Sequence, residues 1–345
     1  MDSQLVILLL LYIGFIIPSF SINTIDSSDY SYKNAFSKIK EMVENKKPLS
    51  FKRSIFLTEN AFNHDSLDYD IFCSAITSIT VPCNQFISNR KYLQKRKNTL
   101  KNFSIYTYIC DTINLTDSIS ILPFQYDFND PFGKKDWSKM FVTKLIATGS
   151  GNCHSLAYLY KILAEEMGAK AYLALAPNHI YIKAYDDSVG WYNTELTSGT
   201  FPNDAWFSAS NYVSTDAIRA GIYMDTLSLK QSVALCLYDL AKGYERKFGT
   251  EDGKFILQCL NLCLQHFPLC VPALVLKAET LKKQYDTFKD KNSQQAKTVY
   301  KEMEATYVKI AKLGYREMPE KMYLDWLASI KEAKYQNEKM KQTQK

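Results

Sequence analysis

The chain has 345 residues, 46% of them hydrophobic and 14% aromatic, which suits a well-packed globule and excludes a chain too polar to bury a core. Its formal net charge of +6 is modest for this length, so composition alone does not call for a polyanionic partner.

The chain opens on an unbroken apolar and aromatic run, Val6 to Ile17. About a dozen residues is the size of a secretory signal core and short for a membrane span. Ser19 and Ser21 stand where a signal peptidase inspects, so residues 1–21 are expected to be a cleaved signal peptide and the protein secreted or periplasmic. The leader has Asp2 and no Lys or Arg, so an uncleaved N-terminal membrane anchor is the alternative. Removing 21 residues from 345 leaves about 324, enough for roughly two domains. No later segment reads as a transmembrane span.

Residues 22–32 are Ser- and Asp-rich and are expected to be a disordered lead-in. Lys33 to Asn98 carries helical spacing, as in Ala35, Ile39 and Met42 and again in Ile71, Ala75 and Ile79. Arg90 to Lys97 is the densest basic stretch and reads as a solvated helix face rather than a nucleic-acid site. Ser104 to Leu122 is β-branched and aromatic and predicts strand or mixed structure; Gln125 to Lys135 predicts a loop. Asn102 and Asn114 each head a glycosylation sequon. A short helix from Trp137 to Ile146 leads to the turn Gly149-Ser150-Gly151-Asn152.

From Cys153 the apolar face Leu156, Leu159, Tyr160, Leu163 and Met167 predicts a helix that ends at Gly168. Strands are predicted at Ala171 to Ala176, Ile180 to Tyr185 and Trp191 to Leu196, with a hairpin loop at Asp186 to Gly190. Beyond about Met224 the pattern is all helical: Lys230 to Lys247, Lys254 to His266, Val271 to Tyr285, Ala296 to Leu313 and Glu320 to Asn337.

Three side chains carry the chemistry. Cys153 opens a helix, His179 starts a strand and Glu195 lies on the next strand. A thiol, an imidazole and a carboxylate brought together by a fold make a nucleophile, a base and an orienter. The thiol sits at the positive end of a helix dipole, which favours thiolate. Asn193 is the rival orienter. One oxyanion donor is expected to be the Cys153 backbone N–H, and the second to be Trp137, Gln125 or Asn152, with Trp137 ranked first. The dull readings are an inert buried thiol, a core histidine and a structural ion pair. The loop Leu196 to Trp206 forms either a cleft wall or a core-anchored turn. The four histidines are scattered and no Cys/His cluster has zinc-ligand spacing, so no metal is expected; no phosphate-binding glycine loop is present and no cofactor is expected. Eight cysteines in an exported chain invite disulfides. Cys73 and Cys83 are possible partners, whereas Cys259 and Cys263 read as packing residues.

Gly151-Asn152-Cys153 at a helix start, His179 at a strand start and Trp191 four residues before an acid together resemble the transglutaminase-like superfamily, which has a papain-type fold. The likeness spans about Trp137 to Trp206. The family usually has Asp where this chain has Glu195. From Leu237 to Leu281 the spacing resembles about two degenerate tetratricopeptide repeats. The whole pattern resembles exported bacterial members of the superfamily with appended repeats. The resemblance implies an α+β chain: a papain/transglutaminase-like domain over 33–225 with N-terminal helices, catalytic core 137–206, followed by an all-α tetratricopeptide-like domain over 226–340. It implies a cysteine peptidase, amidase or acyl-transferase acting through a thioester on a peptide or protein substrate; the sequence itself calls for no nucleic acid and, after signal cleavage, no transmembrane span. A catalytically silent scaffold that recruits a protein through its helical tail is the second reading.

Overall fold

The computed structural model describes residues 24–90, 95–114, 119–250 and 252–343. The expected signal peptide, and residues 91–94 of the basic stretch, lie outside them. The described chain is mixed α/β, predominantly helical with small sheets. It divides into two compact units that alternate along the sequence: one holds 69–212 and 317–345, the other 19–68 and 213–316.

The first unit contains α3 (Tyr69–Ser88), α4 (Lys97–Cys110), α5 (Val142–Thr148), α6 (Cys153–Met167), α7 (Asp204–Ser210) and α13 (Glu320–Thr343). Its main sheet is an antiparallel meander of β5 (Ala171–Ala176), β6 (His179–Asp186) and β7 (Gly190–Thr194). The minimal strands β1 (Ile113–Asn114) and β2 (Ser120–Ile121) pair antiparallel, and β3 (Gln125–Tyr126) pairs parallel with β4 (Ser150–Gly151). Helix α6 is central: it packs against β5, β6, α3, α4 and α5, and twelve of its residues are buried. Both its ends are fixed locally. Asn152 caps the start in a reciprocal pair with Ser155, and Gly168 ends it in the left-handed region at φ +63°.

The second unit is all helical. Here α1 (Thr24–Val43) and α2 (Phe51–Phe62) pack with α9 (Leu229–Phe248), α9 packs on α10 (Lys254–His266), α10 on α11 (Val271–Thr287), and α11 on α12 (Gln294–Lys312); α8 (Thr215–Arg219) is a short addition. Tyr32, Phe36, Tyr244, Phe248 and Phe255 form an aromatic cluster with ring centroids 4.7 to 6.1 Å apart.

Several expectations change. The lead-in is helical from Thr24, because Ser31 and Tyr32 are buried and anchor its end. Residues 33–68 belong with the C-terminal helices, not with the sheet: periodicity gives a helix its apolar face but not the element that covers it. The last helix, α13, belongs with the sheet for the same reason. Ser104 to Cys110 is helical, since Ile105, Tyr106 and Ile109 share one buried helical face. The helix expected from Trp137 splits at Phe141, whose backbone is extended, into a 3-10 turn (Trp137–Met140) and α5. Helix α3 is long and apolar enough to cross a membrane by length and composition, although Phe72, Ile76, Ile79 and Cys83 are buried within the unit. All eight cysteines are free thiols. Cys73 and Cys83 share α3, and ten residues of helix separate them by about 15 Å, too far to bridge. Asn102 is fully buried and donates to the Lys170 and Tyr185 carbonyls, so the first sequon is closed to a glycan.

Candidate active site

Cys153 is the first residue of α6, and the turn before it leaves no room for error. The Asn152 side chain accepts from the His154 and Ser155 N–H groups at 3.1 and 3.4 Å, while Ser155 Oγ accepts from the Asn152 N–H at 3.1 Å. A Cβ on Gly151 would stand 2.2 Å from Ser155 Oγ, so only glycine fits. The strand pair β3/β4 sets Tyr126 opposite Gly151, with the Asp127 N–H donating to the Gly151 carbonyl at 2.7 Å.

His179 is the first residue of β6. A two-residue turn, Pro177-Asn178, connects it to Ala176 of β5, and Asn178 takes the left-handed φ of +55° that such a turn needs. Asn178 donates to the Met318 carbonyl at 3.1 Å, which ties the turn to the approach of α13. His179 Nε2 meets Glu195 Oε2 at 2.6 Å, a short charge-assisted bond. Nδ1 is buried with no satisfied hydrogen bond, and it is the nitrogen left to serve the Cys153 thiol. Glu195 follows the end of β7, where a turn closed by the Gly199 and Thr200 N–H groups holds its carbonyl. Its second carboxylate oxygen accepts from the Thr197 N–H at 2.8 Å.

All three groups are enclosed: Cys153 is 8% exposed, His179 5% and Glu195 2%. Burial alone would push the thiol up, but the charge of the neighbouring imidazole, helped by the Ile180 N–H, holds it below its ordinary value. Burial alone would push the imidazole down, yet the Glu195 carboxylate and the thiolate raise His179 to about 10. Burial opposes the Glu195 charge too, and the imidazolium and the Thr197 N–H keep the carboxyl low. The strength of the thiol–imidazole interaction is electrostatic, without a well-aligned Sγ–Nδ1 hydrogen bond. Each charge thus favours its neighbour's: the imidazole lowers the thiol and the carboxyl, and both of them raise the imidazole.

The other expected residues lie elsewhere. Asn193 donates to the Pro202 carbonyl at 2.9 Å and to Asp204 at 2.8 Å, so it orders the loop before α7 and does not orient His179. Asn152 uses its oxygen as the α6 cap and its nitrogen on the Pro131 carbonyl and Met140 Sδ, which leaves no donor for a substrate oxyanion. Gln125 points outward and contacts the Pro123 carbonyl; its strand neighbour Tyr126, on the opposite face, is the residue that points inward. Trp137 opens the 3-10 turn and packs beneath Gly133.

Four aromatic side chains complete the surroundings. Tyr323 of α13 puts its hydroxyl 3.9 Å from Cys153 Sγ and 3.5 Å from the Tyr126 hydroxyl. Burial pushes both phenols far up, so each remains an O–H donor. Trp326 of α13 packs edge-on to the His179 ring at 5.3 Å, and its Nε1–H is buried without an acceptor. Phe207 of α7 lies 6.4 Å from the same ring. Tyr126, Tyr323 and Trp326 carry no sequence signal of their own, since the last two are about 170 residues from the thiol. Among the described residues no cluster of His, Cys, Asp and Glu could hold a metal ion.

No family model matches the chain, and neither does any curated protein or solved structure.

Proposed function

We propose that the chain is a cysteine-dependent hydrolase or acyl-transferase acting on amide bonds, related to the transglutaminase-like superfamily and built on a papain-type core. The observation that carries this reading is the buried Cys153–His179–Glu195 array, with the thiol at a helix start and the imidazole bonded at 2.6 Å to its carboxylate. Glu195, rather than Asn193, is its orienter, with its other carboxylate oxygen held by the Thr197 N–H.

In this scheme the Cys153 thiolate adds to an amide carbonyl carbon, and the carbonyl π electrons move onto oxygen. The oxyanion sits against the Cys153 backbone N–H, the His154 and Ser155 N–H groups being taken by the Asn152 cap. Collapse reforms the carbonyl and breaks the C–N bond, while His179 gives its Nδ1 proton to the departing nitrogen. This leaves a thioester, a neutral imidazole and a free amine. Water or a second amine then adds to the thioester, His179 takes the proton of that nucleophile, and the C–S bond breaks to regenerate the thiolate. Glu195 keeps the imidazole oriented throughout and stabilises its cationic form.

The chain's peptide or protein substrate would reach the thiol from solvent, and the stacked helices of the second unit would recruit a protein partner. Export through the N-terminal leader fits such a role. The test is turnover of an amide-bearing peptide mixture, read as new amino termini, released ammonia or incorporated dansylcadaverine. The reading requires thiol-dependent product that disappears in Cys153→Ala; product undiminished in that variant would overturn it.

A further inference from the structure

We propose that α13 is an intramolecular cap seated in the substrate cleft, and that it must leave before an amide can reach Cys153. This rests on the reading of Cys153 as the nucleophile. A carbonyl carbon has to come within about 3–3.5 Å of the attacking sulfur. The Tyr323 hydroxyl, 3.9 Å from Sγ, already occupies that approach. Trp326 packs edge-on against the His179 ring at 5.3 Å. Phe132 packs at 5.0 Å on Tyr323, so the recess beside the thiol is aromatic and is filled by a side chain of the chain itself.

The cap is attached along one face. Met318, Tyr323, Leu327 and Ile330 are buried, whereas Lys321, Asp325 and Glu332 face solvent. Among the described residues its polar ties include the Asn178–Met318 hydrogen bond, an exposed ion pair between Lys134 and Glu320 at 2.7 Å and Lys331 over the Phe128 ring. Lys134 lies on a loop made rigid by Asp130, whose carboxylate accepts from the Lys134, Lys135 and Asp136 N–H groups. Beneath the cap the polar matching is poor. Tyr323 makes only long polar contacts, and Trp326 Nε1 has no acceptor. Buried donors without acceptors weaken a closed state relative to an open one in which water or a substrate carbonyl satisfies them. An interface that fills the cleft yet leaves its donors unmet is suited to a reversible cap and not to a permanent wall. An aromatic side chain in a peptide substrate would replace Tyr323 in the same recess.

The test is the rate of Cys153 alkylation by iodoacetamide in the full chain, followed site by site by mass spectrometry across pH. Tyr323→Ala removes the side chain over the thiol and should raise the plateau rate at high pH about tenfold or more. Tyr323→Phe keeps the ring and should stay close to wild type. Glu320→Lys alters only an exposed residue and should raise the plateau about twofold to fivefold, with Lys134→Glu restoring it in the double variant. A plateau unchanged or lowered in both Tyr323→Ala and Glu320→Lys overturns the cap and makes Tyr323 a fixed part of the site. The pH midpoint reads a different property. A raised plateau with a midpoint above about 8 leaves the cap standing and sinks the activated nucleophile. An unchanged plateau with a midpoint below 7 does the reverse.

Discussion

Both units enclose cysteines, but one of them, Cys153 in the sheet-bearing unit, responds in the opposite sense to the others. In the helical unit Cys259 and Cys263 are fully enclosed; burial pushes Cys259 well up, and the Cys270 thiol together with burial does the same to Cys263. In the sheet-bearing unit burial pushes Cys83 and Cys110 up to about 12. Cys153 is equally enclosed, yet it is held below its ordinary value. Burial is common to all of them and cannot explain the difference. What separates Cys153 is a helix start beneath it and a carboxylate-backed imidazole beside it. Low dielectric makes an unpartnered thiol inert and a partnered one an ion pair.

That contrast can be broken most forcefully at Glu195. Glu195→Gln removes the larger of the two charges that support the buried imidazolium and should cost about 3 kcal/mol at pH 7 in denaturant unfolding. The carboxyl is held below its ordinary 4.5, so its contribution is present above about that pH and is lost as pH falls through the depressed folded value. The histidine is raised, so its share is complete below 6.5 and fades as pH climbs to about 10. The gap between wild type and variant should therefore narrow below pH 4.5 and again towards pH 10. A gap constant from pH 3 to 7 would show that the pair does not exist as ions.

Gly151→Ala strikes the turn rather than the charges. The new methyl must displace Ser155 from the α6 cap, at a cost of about 2 kcal/mol in thermal or chemical unfolding, with slower alkylation of Cys153 as its position is lost. In the helical unit, Cys259→Ala should cost only about 1 kcal/mol, as a packing atom does, and leave Cys153 alkylation untouched. The smallest change is expected at Tyr32, whose buried hydroxyl has no partner: Tyr32→Phe should shift stability by no more than about 0.5 kcal/mol, or improve it. A loss of several kcal/mol there would mean that the hydroxyl is satisfied after all.

The local chemistry was legible in the residues, and the long-range chemistry was not. Gly151-Asn152-Cys153 before an apolar stripe and Gly168 after it mark α6 because caps are short-range hydrogen bonds. Lys254–His266 is bounded as its pattern implies, and β5 likewise. Glu195 could be nominated, but not separated from Asn193, because strand alternation does not say that Asn193 would be taken by Pro202 and Asp204. Asn152 is lost as an oxyanion donor for a related reason: its oxygen caps the helix while its nitrogen is taken by the Pro131 carbonyl and Met140 Sδ. Tyr126 was overlooked in favour of Gln125, since a one-residue choice in a two-residue strand decides which side chain faces in. Tyr323 and Trp326 could not be found at all, because α13 shows only which of its faces is apolar and not that a thiol lies under it.

The most direct measurement is the pH dependence of Cys153 alkylation, read beside Cys259 in the same molecule and repeated in His179→Ala. An ion pair at Cys153 predicts a rate already at its plateau near neutral pH, lost in the variant, while Cys259 stays unreactive until the chain unfolds. A Cys153 rate that climbs only above about pH 8, unchanged in His179→Ala, would contradict it and return this thiol to the company of the other seven.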